Sequence, residues 1–512
     1  CSASNCLGDD MINRTNPKQI SIEDLGWNFE QKLDPNNPWV RLADRIPWDE
    51  FRKIYHKKLK KKGRPSKEAR LVIGAMIIKY KKGMPDEEVI PEIQMNPYYQ
   101  YFVGLKAFTH KPIFDPSLFV TLRKRMGLKL FERLHQVFID EVTAIEKQEK
   151  QEKQATASQD CSKKIDDDND ESGSSGNHGQ LIIDAVVALQ EIKYPTDLNL
   201  LNDAREHTER LIDQLWQPAS GVRKPRTYRH IARKEYLTMV KKKGKPHNQL
   251  RGALRGQLHY LRRNIKTIRQ LLDKSNGDTL PFSQQDQKLF WAVQELYRQQ
   301  RIMYEIQQKS IADRIVHLRQ PHVRPIVRGK AGRDTEFGSK LSCSLVDKYV
   351  YLDHLDWNAF NESGDLINQV ELYKERFGFY PESVLVDNIY RSRKNRQKLK
   401  SLGIRFCGKR LGRPPKLTPA QKRAINKELA QRNRIEGKFG EGKRKYQLDC
   451  VKAKTRATSE SWVASVLFVM NLSAWLRADI ILSFFRSAKQ ALKALFGVVN
   501  ELHTAQIAVL YG

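Results

Sequence analysis

The chain has 512 residues, 91 of them Lys or Arg and 59 Asp or Glu, for a formal charge of +32. That length suggests roughly two to four domains with ample core. So basic a surface repels itself unless it meets a polyanion, which puts nucleic acid first among partner classes. Membrane association is the weaker reading: the most apolar stretch, 462–485, is broken by Asn471, Arg477 and Asp479, which argues for a buried helix. The six cysteines show no C-x-x-C spacing and the histidines no zinc pattern, so a zinc framework is excluded and a reduced, cytoplasmic setting fits. No signal peptide is recognisable, and the opening residue, Cys1, makes Met11 a candidate natural start.

Residues 1–20 are polar and expected to be disordered. Residues 21–147 read as an all-α N-terminal DNA-binding domain, with amphipathic segments at 40–57, 67–80 and 116–141. Asp86 is the expected N-cap of a helix beginning at Glu87. The basic run 57–62, followed by Gly63, Arg64 and Pro65, forms an arm suited to phosphates or a minor groove, with Lys61, Lys62 and Arg64 as its contacts. A solvated basic loop is the competing reading. Residues 148–179 have almost no apolar content and read as a polar, then acidic, linker.

A strand follows at 181–189, LIIDAVVAL, where Asp184 interrupts an apolar run; a carboxylate there is costly unless it is paired or metal-bound. From about 204 to 313 the pattern is helical, an insertion after the first strand. Within 222–266 the only acid is Glu235, and the densest basic points are Lys241, Lys242, Lys243, Arg262 and Arg263, a candidate phosphate-contacting face. Strand patterns resume at 323–327, 341–345 and 349–354, with turns at 329–332 and Asp347. A helix at 366–377 precedes a short strand, 383–386, which ends in Asp387, at the kind of strand end where functional residues of open α/β sheets gather. A helix at 395–402, a strand at 404–408, a basic turn, a helix from Thr418, a covering helix at 459–476 and an apolar helical tail, 477–512, complete the chain. The order over 180–476 suits a mixed α/β sheet flanked by helices.

The helix from Thr418 carries RNRIEGKFGEGK at 432–443. On a helical wheel Arg432, Glu436 and Lys443 fall within roughly 40° of one another, while Glu441 points away. A carboxylate flanked by two cations, together with Asp184 and Asp387 on strands, is the donor set a two-magnesium phosphodiester chemistry needs. A solvated charged face is the competing reading. Gly437, Gly442 and Lys443 nearly spell a P-loop, but Arg444 stands where Ser or Thr belongs and no strand precedes the loop. The glycines at 437, 440 and 442 each weaken a helix by about 1 kcal/mol relative to Ala.

With these residues in view, the chain resembles the DDE transposases of bacterial insertion sequences, in the IS-five-like branch. The resemblance rests on GAMIIKY, NPYYQYFVGL and FDPSLFVTLRKR near the N-terminus, and on LIIDAVV followed by YPTDLNLLN. It continues through PIVRGKAG followed by EFGSKL, VLVDNIYRSRKNRQKLKSLGI and RNRIEGKFGEGKRKY. The family signature of Tyr, Arg, Glu and Lys on the acidic helix is met by Arg432, Glu436 and Lys443, with Leu429 at the Tyr position. The resemblance implies an RNase H-like catalytic domain in which Asp184, Asp387 and Glu436 hold Mg²⁺, or Mn²⁺ in its place. It implies double-stranded DNA, at element ends and target, as substrate, a homodimer on DNA, and a nucleoid-associated bacterial protein. An inactive transposase-derived DNA-binding protein and an RNase H-like nuclease are the alternatives. An RNA-binding protein fits the charge but lacks an RRM, KH or aromatic stacking signature.

Overall fold

A computed structural model describes residues 29, 33–59, 65–158, 176–216, 223–274, 282–327, 335–407 and 418–480. The fold is mixed α/β with a helical majority. Helices α1 (Pro38–Arg45) to α6 (Leu118–Ser158) come first; between them lie α2 (Trp48–His56), α3 (Ala69–Lys82), α4 (Asp86–Met95) and α5 (Pro97–Phe102). The single amphipathic segment expected at 40–57 is two helices, because Ile46 precedes Pro47 and is driven to extended backbone (φ −75°, ψ 127°). Asp86 is not a cap: Pro85 holds that position, and the Asp86 carboxylate sits between Lys79 and Arg123, pairing with two buried cations. Helix α6 kinks at Gly127 (φ 61°) and continues to Ser158, beyond its apolar periodicity.

Strand β1 (Gln180–Leu189) opens the sheet, and the insertion follows it as α7 (Asp197–Leu215), α8 (Arg229–Val240), α9 (His247–Lys274) and α10 (Gln284–Glu305). Then come β2 (Arg324–Val327), β3 (Thr335–Val346), β4 (Tyr349–Asp356), α11 (Leu366–Phe377), β5 (Ser383–Leu385), α12 (Arg393–Ser401), β6 (Arg405–Phe406) and α13 (Pro419–Tyr446). The last described helix is α14 (Arg456–Ile480). Strand β1 pairs antiparallel with β3 and parallel with β5; β3 pairs antiparallel with β2 and β4, and β5 parallel with β6. The sheet therefore reads β4-β3-β1-β5-β6, with β2 continuing the β4 edge.

Helix α13 starts at a capping box, Thr418 with Gln421, and runs unbroken through its three glycines. Its buried stripe, Ile435, Phe439, Gly442 and Tyr446, keeps helical spacing and packs on β1 and β5. A Cβ at Gly442 would lie 3.0 Å from Met470 Sδ, so that glycine lets α13 approach α14 closely. Helix α14 is the one described helix long and apolar enough to cross a membrane, and 78% of its most apolar window is buried in this fold. Its Trp462 meets Tyr80 edge-on at 5.1 Å, and its Asn471 side chain accepts from the Val350 N–H at 2.9 Å and donates to the Val350 carbonyl at 2.7 Å, completing the edge of β4. The apolar core is continuous from the N-terminal helices through the sheet to α13 and α14, while the insertion has a core of its own around Leu201, Leu261, Ile268, Val293 and Leu296.

Candidate active site

Asp184 lies in the middle of β1, the central strand, with apolar neighbours on either side in sequence. Its carboxylate accepts from the Ala185 N–H at 2.8 Å. Burial pushes the carboxyl up to about 6; the Ala185 N–H and the Arg432 charge pull it down, while Glu362 and Glu436 push it further up. Asp184 thus shares an electrostatic environment with Glu436 and Arg432 of α13 and with a fourth charged group, Glu362.

Asp387 follows β5. Ile182 of β1 pairs in parallel with Leu385, so Asp387, two residues on, falls level with Asp184 when the register is extended. It is exposed, and its carboxylate accepts from the Asn388 N–H at 2.7 Å. Glu436 is half exposed, and Arg432 Nη2 donates to it at 2.8 Å across one helical turn. Lys443 does not join that pair: its Nζ lies 3.8 Å from Glu336 Oε1 on β3. Glu441 faces α14, where Arg477 reaches it at 2.7 Å, as the helical wheel expects.

Among the described residues, no group of three or more His, Cys, Asp or Glu side chains stands close enough to hold a metal ion. The donor chemistry nevertheless suits a hard divalent cation. Every candidate ligand is a carboxylate, and burial, more than any neighbouring charge, raises the Asp184 carboxyl. Glu436 would have to exchange or share its Arg432 partner to contribute.

Of the basic candidates, Lys241, Lys242 and Lys243 lie exposed at the α8–α9 turn, and Lys242 donates to Gln249 at 2.9 Å. Arg262 and Arg263 are exposed on α9. All five belong to the insertion. Lys61, Lys62 and Arg64 lie outside the described residues. Sequence reasoning missed Glu362, which sits in a short helical turn, Glu362–Gly364, and is held by Lys340 at 2.8 Å. It also missed Tyr228 and Tyr260, on which Arg263 stacks.

Residues 384–473, spanning β5 to most of α14, match the family described as the transposase DDE domain, and residues 27–125 match a family described as a transposase domain. The chain is 34% identical over 116 residues, 22% of its own length, to an uncharacterized protein, ORF8 in the nfe locus, of Rhizobium meliloti. It spans 56% of that relative. No solved structure matches. The DDE-domain match covers Asp387 and Glu436 and supports a transposase-type enzyme. The two matches, one toward each end of the chain, are both to families described as transposase domains.

Proposed function

We propose that this protein is a DNA transposase of an IS-five-like insertion sequence that binds the ends of its element, cleaves them and joins them to target DNA. What supports the reading is that Asp184 lies on the central strand and feels the charge of Glu436, that the parallel β1–β5 register, extended by two residues, brings Asp387 level with Asp184, and that α13, which carries Glu436, packs on β1 and β5. An antiparallel β4-β3-β1 meander continued by the parallel β5 and β6 supports an RNase H-like catalytic domain with a helical insertion. On this reading the N-terminal helices bind DNA, two protomers hold the two ends, and the protein works at the bacterial nucleoid.

Asp184, Asp387 and Glu436 would hold Mg²⁺, or Mn²⁺ in its place; when bound, such ions activate water and stabilise a leaving 3′ oxygen. The chain's own contributions are positional. Strand β1 fixes Asp184, and Arg432 orients the Glu436 carboxylate through a charge-assisted hydrogen bond. Arg432 and Lys443 are the cations of α13 that would meet DNA phosphates near the acids. The reaction is hydrolysis at the element end, with water oxygen bonding phosphorus as the 3′ oxygen leaves. That 3′-OH then attacks a target phosphodiester, its oxygen bonding the target phosphorus as the target strand's own 3′ oxygen leaves, and no covalent protein intermediate is required.

The Arg432–Glu436 ion pair favours a second reading, a transposase-derived DNA-binding protein without catalysis. A strand-transfer assay separates the possibilities, using a duplex carrying the element end and a target plasmid with Mg²⁺. The proposal expects cut ends joined to the plasmid. Cutting without joining identifies a nuclease, and specific binding without cutting identifies the regulator.

A further inference from the structure

We propose that the helical insertion carries a cleft for unpaired DNA, in which exposed bases stack on Tyr228 beside Arg263. The inference rests on the DNA-processing reading above and specifies the form of DNA this part of the chain takes.

Two clefts adjoin on the insertion. One, of about 580 Å³, is formed by residues 224–231 and includes Arg226, Tyr228, His230 and Ile231. The other, of about 510 Å³, is formed chiefly by α9 and includes Gly252, Arg255, Gly256, Tyr260 and Arg263. Arg263 joins them, with its guanidinium 4.3 Å from the Tyr228 ring centre and 5.6 Å from that of Tyr260. Glu235 is the one acid among the described lining residues.

Three features separate this cleft from an ordinary basic surface. Tyr228 has φ 53°, a left-handed conformation uncommon for an aromatic residue, and the residue stays 42% exposed, next to Ile231 at 53%. The fold thus holds an aromatic face and an aliphatic side chain open to solvent between cations. Gly252 and Gly256 stand one turn apart on α9, where each costs about 1 kcal/mol relative to Ala. A Cβ at Gly252 would meet nothing within 4 Å, so packing does not require that glycine. Finally, cations with stacking faces suit unpaired strands, because a duplex hides the faces of its bases whereas a single strand exposes them.

The test is fluorescence anisotropy with the full chain and two labelled probes: a blunt duplex and the same duplex bearing a short oligothymidine tail. Wild type should bind the tailed probe more tightly. Tyr228→Asn removes the ring while suiting the left-handed backbone. It should lose at least about fivefold on the tailed probe and stay within about twofold on the blunt one. Tyr228→Trp should retain the preference. Equal wild-type binding to both probes would overturn the cleft alone. Equal loss by Tyr228→Asn on both probes would do the same. Binding of neither probe would remove the DNA-processing reading with it.

Discussion

Asp184 is held in an environment that resists its ionisation, and the consequence can be measured. Its carboxyl titrates near 6 in the folded chain, against about 3.9 when unfolded. The folded state therefore binds that proton more tightly. The linked stability is present below pH 4 and is lost as pH rises through 6. Without divalent cations, the unfolding free energy of wild type minus that of Asp184→Asn should fall by on the order of 2–3 kcal/mol between pH 4 and 7, read by urea denaturation. A flat difference would contradict the burial argument. Arg432→Ala should cost less than about 1 kcal/mol of stability, since Glu436 is 53% exposed. A large loss of DNA cleavage beside that small change would assign Arg432 to orienting the carboxylate, whereas parallel losses would make it structural. Asp184 is conspicuous in the sequence because an acid interrupts an apolar run. Glu362 carries no such mark: it is one polar residue in a turn, and only the fold brings its charge to bear on Asp184.

At the scale of elements, periodicity reveals the type of most segments, but their ends depend on contacts. The helix expected at 366–377 is α11 with the same bounds, because Gly378 (φ 84°) stops it in a way the sequence announces. Strand β3 begins six residues earlier than the expected 341–345 run, at Thr335, because pairing with β2 and β1 extends it through polar residues. Gly338 sits in that extension, between Leu189 on one side and Arg324 on the other. A Cβ there would fall 1.9 Å from the Ala188 carbonyl oxygen, a backbone clash no rotamer relieves. Gly338→Ala should therefore destabilise the chain by more than about 3 kcal/mol in chemical denaturation. Wild-type stability in that variant would show that β1 and β3 separate more freely than their register implies. The glycines of α13 invert the expectation from propensity: the helix tolerates them, and Gly442 is needed for the approach of α14.

At the scale of the whole molecule, the two larger apolar cores among the described residues divide the work. One ties the N-terminal helices to the sheet that bears the acids; the other lies within the insertion that bears the basic cleft. Leu261→Ala, at a fully buried position of the insertion core, should cost about 2–5 kcal/mol locally. In hydrogen exchange α9 should lose protection while β1 and α14 keep theirs. Loss throughout would mean that the cores unfold as one. The central claim is that Asp184, Asp387 and Glu436 form a single cation-dependent site for DNA cleavage. Its most direct test is single-turnover cleavage of a duplex carrying the element end, with Mg²⁺ or Mn²⁺, for wild type and Asp387→Asn. The account predicts that wild type cuts and that Asp387→Asn binds the end as tightly but does not cut. Undiminished cleavage by Asp387→Asn, or cleavage by wild type in excess chelator, would contradict it.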